Sequence, residues 1–138
     1  MVHATQGQPP YHVDIVASGH ALVADEPPAN GGGNAGPSPF DLVLAGLAAC
    51  TMITLRMYAE RKGWAGFDIS AHLRHRMEGG THFIDRKVEV GGVPDEAGME
   101  RLRDIVERTP VTLALKPGFT ISTVLTQVVP QTTPGAAV

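Results

Sequence analysis

The thiol is the scarcest reactive group in this sequence: Cys50 is the only cysteine among 138 residues that also carry six histidines and 11 Lys and Arg. One cysteine excludes an internal disulfide framework and a cysteine-based zinc cluster. It lies in a run, Leu42 to Ile53, in which Thr51 is the only strongly polar residue, and a thiol so placed packs as a small hydrophobe more often than it reacts. At its ordinary pKa of about 8.5 a thiol is only a few per cent thiolate near neutrality. The middle of a helix adds little from the macrodipole, which acts in the first turn. A reactive Cys50 therefore needs a cation delivered by folding, and residues 1 to 55 contain no Lys or Arg at all. The candidates are Arg74, Arg76 and Arg86, with His20, His72 and His75 as weaker ones. His72 and His75 fall on opposite faces of one expected strand and no histidine pair stands four apart on a helix, so neither a metal nor a cofactor site is expected.

The element that must carry the thiol is marked at both ends. Ser38 can cap the first amides, Pro39 suits the first helical position and Asp41 stands where a capping-box acid closes the turn. Arg61 and Lys62 favour the negative end, and Gly63 can take the left-handed conformation that stops the helix. The first half of this helix is apolar on every side and must be surrounded by protein. The apolar run is shorter than the about 20 residues of a bilayer span and too far from the N-terminus for a signal peptide, so a core helix and a cytoplasmic location are expected, with no membrane partner.

Around it the pattern is strand, strand, helix, strand, strand, helix, strand, an α+β domain spanning residues 1–138 with loose tails at 1–10 and 131–138. Tyr11 to Ala24 reads as a hairpin turning at Ser18-Gly19. Residues 26–37 hold three adjacent glycines but no P-loop lysine, and read as a flexible connector rather than a phosphate cradle. Phe67 to Arg76 alternates cleanly, with Phe67, Ile69, Ala71, Leu73 and His75 on one face, and Glu78-Gly79-Gly80 turns into a strand from His82 to Val90. Arg86 interrupts the apolar phase of Ile84, Val88 and Val90. It is either a rim residue that snorkels or a cation aimed at a partly buried acid or substrate. Asp95 can cap a helix from Glu96 to Arg108, Thr109-Pro110 ends it, and Phe119 to Val129 is rich enough in β-branched residues to be a last strand. One small sheet can hardly cover the central helix, which is a reason to expect an intimate dimer. The net charge of -3 argues against a nucleic-acid partner.

Several stretches together resemble one known family. Asp25-Glu26-Pro27, Asn34-Ala35-Gly36-Pro37-Ser38-Pro39-Phe40-Asp41-Leu42, Leu47-Ala48-Ala49-Cys50-Thr51, Thr54-Leu55-Arg56-Met57-Tyr58-Ala59, Arg61-Lys62-Gly63-Trp64, Asp85-Arg86 and Pro110-Val111 are similar to the OsmC/Ohr family of osmotically inducible and organic hydroperoxide resistance proteins. The resemblance implies an α+β homodimer with the central helices inside. It also implies that Cys50 is the peroxide-attacking cysteine of a thiol-dependent peroxidase, whose sulfenic acid is resolved by a second cysteine. Here the position of that resolving cysteine holds Thr109, the family acid ten residues before the reactive cysteine is Phe40 with Asp41 as a displaced candidate, and the N-terminal arginine has no counterpart.

Those departures remove fast two-cysteine turnover. What remains is one-cysteine reduction of organic hydroperoxides in oxidative stress defence, with an external thiol as reductant. The alternative is a redox-inactive member that binds a hydrophobic small molecule at the dimer seam. A hydrolase-like use of Cys50 has no Cys-His-acid spacing behind it. The surroundings of the sulfur separate the first two: a nearby cation favours the enzyme, and a purely apolar shell favours the binder.

Overall fold

In the computed structural model, which describes residues 1–128, two antiparallel sheets flank one long helix. Strands β1 (Val2–Gln6), β2 (Val13–Ala17) and β3 (His20–Ala24) form a meander in the order β1-β2-β3. Ser18 and Gly19 link β2 to β3 at φ 47° and 89°, the positive values that a two-residue hairpin turn requires. The N-terminal residues are thus not a loose tail: Val2 pairs with Ala17 and Gln6 with Val13. Short polar and small residues there conceal the strand, because β1 is exposed along its whole length and carries no buried alternation.

The connector from 25 to 38 is built rather than loose. Asp25 is buried, and its carboxylate accepts the backbone N–H groups of Glu26 and Ala35. A short 3-10 turn, Pro28–Asn30, follows, and the Asn34 N–H returns to the Glu26 carbonyl. The Asp25 carboxyl is held below its usual range by the Ala35 and Glu26 amides.

Helix α1 (Pro39–Arg61) starts on the expected capping box, with Ser38 Oγ accepting the Asp41 N–H and Asp41 Oδ2 accepting the Ser38 N–H. Gly63, just past its end, has φ 69°. Leu47, Thr51, Leu55 and Ala59, four apart, form the buried stripe. Leu55 and Ala59 meet Phe67 and Leu102 in the core, with Trp64, Ile69, Val88 and Val90 around them. Each such aliphatic or aromatic side chain contributes about 1.5–3 kcal/mol by burial.

The chain fully buries only that stripe. Val43, Ile53 and Met57 are exposed, so the apolar circumference is not enclosed by the chain itself. At 23 residues, with an 18-residue window of mean hydropathy 1.7, α1 is also long and apolar enough to cross a membrane, which corrects the estimate made from the apolar run alone. The core helix of a soluble protein passes the same test, and the Arg56 guanidinium within α1 is spent on the Phe67 carbonyl at 2.8 Å.

Strands β4 (Asp68–Glu78) and β5 (Thr81–Gly91) form a long hairpin whose Ile69, Ala71, Leu73, Val88 and Val90 face α1. Helix α2 (Glu96–Val106) is capped by Asp95, whose carboxylate accepts the Gly98 N–H, and it ends two residues earlier than the sequence suggests. Helix α3 (Pro110–Leu115) has Thr109 as its N-cap residue. From Phe119 to Val128 there is no strand. The β-branched residues are present, but β preference needs a neighbouring edge to pair with, and Ile121, Val124, Leu125 and Val128 stand exposed instead. Val129 and the tail 131–138 lie outside the described residues.

Candidate functional site

Cys50 sits half-buried on α1, one residue before the buried stripe position Thr51. Its sulfur accepts the backbone N–H of Val111 at 3.5 Å and lies 4.0 Å from the Thr54 hydroxyl. The first contact is tertiary, because Thr109-Pro110 turns the chain so that the opening of α3 lands on the middle of α1. The second comes from helix spacing alone, since residues four apart are neighbours on one face.

Arg86 resolves the alternative left by its phase. Its side chain is 12% exposed and points inward from β5. Nη1 donates to the hydroxyls of Thr51 and Thr112 at 2.9 Å each, and Nη2 donates to the Val106 carbonyl at 3.0 Å. One guanidinium thus ties together α1, the end of α2 and α3. Glu107 approaches it at 3.9 Å from the rim. The threonines are satisfied in turn: the Thr51 hydroxyl donates to the Leu47 carbonyl at 2.7 Å, and the Thr109 and Thr112 hydroxyls share a 2.6 Å bond. Arg86 therefore touches the residue next to Cys50, while among the described residues no guanidinium hydrogen-bonds to the sulfur itself. A cavity of about 420 Å³ opens beside this cluster, with Leu47, Ile84 and Leu115 as apolar walls and Arg86 and Thr112 as polar ones.

The other candidates lie elsewhere. Arg74 and Arg76 are on the far face of the hairpin, where both donate to Asp85, at 3.1 and 2.8 Å. Arg76 also pairs with Glu78 at 2.6 Å and stacks over Phe83. These guanidiniums hold the Asp85 carboxyl below its usual range, Arg76 chiefly. Asp41 is engaged in the capping box, nine residues and so about 13 Å along the helix from Cys50. It faces a larger cleft of about 780 Å³ that it shares with Arg74 and the 26–40 loop, not with the thiol. Thr109 is fully buried and stands two residues before Val111, whose amide meets the sulfur.

Sequence reasoning missed one grouping: Phe40 stacks on His75 with centroids 3.9 Å apart, and His75 and His82 are hydrogen-bonded at 2.8 Å. The inward phase of His75 was the available signal. His82 joins it only through the diagonal of the β4–β5 register. Among the described residues no group of three or more metal-ligating side chains occurs.

Comparison with known proteins agrees with this architecture. Comparison with curated proteins finds no match. Among solved structures, a Psychrobacter arcticus protein named for osmotic stress induction and detoxification response superposes with a TM-score of 0.68 at 18% identity, over 81% of this chain and 85% of its own. An OsmC-like protein from Mycoplasma pneumoniae gives 0.65 at 18%, over 84% and 86%. An organic hydroperoxide resistance protein OsmC from Legionella pneumophila gives 0.60 at 19%, over 84% and 88%. Residues 31–124, most of the chain and all of the Cys50 cluster, match the family model described as OsmC-like protein, and the chain belongs to the OsmC family.

Proposed function

We propose that this protein reduces organic hydroperoxides with Cys50 as a one-cysteine thiol peroxidase, working as a homodimer. The observation that carries the reading is the seat of the sulfur: half-buried, with an amide N–H aimed at it and a hydroxyl one turn away. In the reaction the sulfur attacks the peroxide oxygen, the O–O bond breaks, and the alkoxide leaves and takes up a proton, giving Cys50 sulfenic acid and an alcohol. The apolar walls Leu47, Ile84 and Leu115 suit an alkyl substituent, and Arg86 and Thr112 at the same cavity suit the polar end of the peroxide. Fixed donors facing developing charge are commonly worth about 100-fold to 1000-fold in rate. With Thr109 where a resolving thiol would stand, the sulfenic acid has to be reduced from outside. Exposed Val43, Ile53 and Met57 on α1, with the exposed Ile121, Val124, Leu125 and Val128, support the dimer.

The test is reaction of the reduced protein with cumene hydroperoxide, trapping sulfenic acid with a dimedone-type reagent and locating it by mass spectrometry. Oxidation at Cys50 well above the rate of a free thiol, absent in Cys50→Ser, is the expected result. Oxidation no faster than free cysteine would overturn the peroxidase and favour the hydrophobic-ligand binder. Light scattering on the eluting protein should give twice the chain mass; a stable monomer would overturn the dimer.

A further inference from the structure

Three arginines other than Arg86 line one cavity on the C-terminal side of Cys50 along α1. A cavity of about 230 Å³ is lined by Arg61, Tyr58 and Thr54 from α1 and by Arg101, Ile105 and Arg108 from α2 and the turn after it. Thr54, Tyr58 and Arg61 continue the stripe that begins at Cys50, at i+4, i+8 and i+11. Thr54 is the residue whose hydroxyl lies 4.0 Å from the sulfur, so the cavity and the thiol share a wall. Charge there is unbalanced. Arg101 and Arg108 share the single carboxylate of Asp104, and Arg61 has no ion-pair partner among the described residues. Lys62 adds a further cation over the Tyr58 ring, 5.7 Å from its centroid.

We infer that this cleft binds the carboxylate end of a small anionic thiol and so presents that thiol to oxidised Cys50. The ligand's thiol function rests on the peroxidase reading; its negative charge rests on the cleft alone. The volume is below the about 300–1,000 Å³ that encloses a whole ligand, which fits the seating of one end group. Thr54, one turn from Cys50, forms the near wall of the cleft, and Arg61 stands seven residues, about 10 Å, further along the helix. A thiol whose carboxylate stands about 10 Å from its sulfur, the span of three extended residues, reaches from the Arg61 turn to the Thr54 wall beside Cys50. Its sulfur attacks the sulfenic sulfur of Cys50, an S–S bond forms, and the S–O bond breaks with the hydroxide leaving as water on the incoming thiol's proton. A second molecule of the same thiol then attacks the outer sulfur of the mixed disulfide. It releases a small-molecule disulfide and returns Cys50 as a thiol with the second proton.

The experiment uses reduced Cys50 and needs no peroxide: its rate with the dianionic disulfide 5,5′-dithiobis(2-nitrobenzoate) is divided by its rate with uncharged 4,4′-dithiodipyridine, and N-acetylcysteine is the reference thiol. The expected ratio is about ten-fold above the reference at low salt and falls as salt is added. Arg61→Gln with Arg101→Gln should return it to the reference, while Arg103→Gln, which removes a charge on α2 outside the cleft, should leave it high. An unchanged ratio in the double variant, or a wild-type ratio at or below the reference, overturns the inference. Peroxide-inert Cys50 with the ratio intact would sink the peroxidase and leave the anion cleft standing.

Discussion

The hairpin β4–β5 presents arginines on both faces, and the two faces treat them oppositely. On the outer face Arg74 is 74% exposed and Asp85, which it shares with Arg76, is 44% exposed. On the inner face Arg86 is 12% exposed and its described hydrogen bonds all go to neutral oxygens of three other elements. A shift of one residue in a strand moves a side chain to the other face, and here that shift separates a solvated ion pair from a buried clamp. The outer cluster is screened by water and salt. The inner guanidinium has exchanged hydration for fixed hydroxyls and a helix-end carbonyl, and without it those acceptors lose a charged donor.

The largest way to break this contrast is Arg86→Ala. Loss of three charge-assisted hydrogen bonds and of the packed stem should cost about 3 kcal/mol in urea unfolding, and Arg86→Lys should recover only part because it keeps the charge without the fork. A cost no greater than that of Arg74→Ala would make the two faces equivalent. Thr51→Val sharpens the comparison from the acceptor side. It removes one partner of Arg86 and leaves the Leu47 carbonyl without the hydroxyl, and about 1 kcal/mol is expected. Its effect should shrink in an Arg86→Ala background, which a double-mutant cycle measures.

Acid titration gives the smallest effect and separates a buried acid from an exposed one. Asp25 and Asp85 both have folded pKa values lowered below their unfolded value, by amides in the first case and by Arg76 and Arg74 in the second. Their contribution is complete above the unfolded value of about 3.9 and is lost as pH falls through the folded values. Following Tm from pH 5 down to about 2.5 should therefore show a decline below about pH 4. Asp25→Asn should flatten that decline more than Asp85→Asn, because Asp25 is buried in its loop and Asp85 stands half in water. Equal flattening would show that burial adds nothing to the amide cage.

Much of the positioning frame was legible. Ser38, Pro39 and Asp41 announce the start of α1 through local hydrogen bonds, and Ser18-Gly19 and Gly79-Gly80 announce the two hairpins through their backbone freedom. The clean alternation of β4 likewise survives folding, because one face packs on α1. Where the pattern depends on a neighbour, reading failed. Strand β1 lacks any buried face and so reads as a tail, whereas Phe119 to Val128 has strand composition but is not laid against any sheet edge. The connector at 26–37 reads as loose because its order comes from one buried carboxylate, that of Asp25, not from periodicity.

By itself the sequence determined that one thiol would sit mid-helix, with no second cysteine to resolve it and no Lys or Arg in the first 55 residues. It also confined the candidate arginines to the second half of the chain. Only the tertiary structure decided which of them approaches that thiol. Arg74, Arg76 and Arg86 are equivalent in type, but only the inward phase of Arg86 meets Thr51 and Thr112. The Val111 amide, 61 residues away in the chain, reaches the sulfur through the turn at Thr109-Pro110. Local signals specify elements because neighbours along the chain make them; a site assembled from four elements exists only once packing has set their faces together.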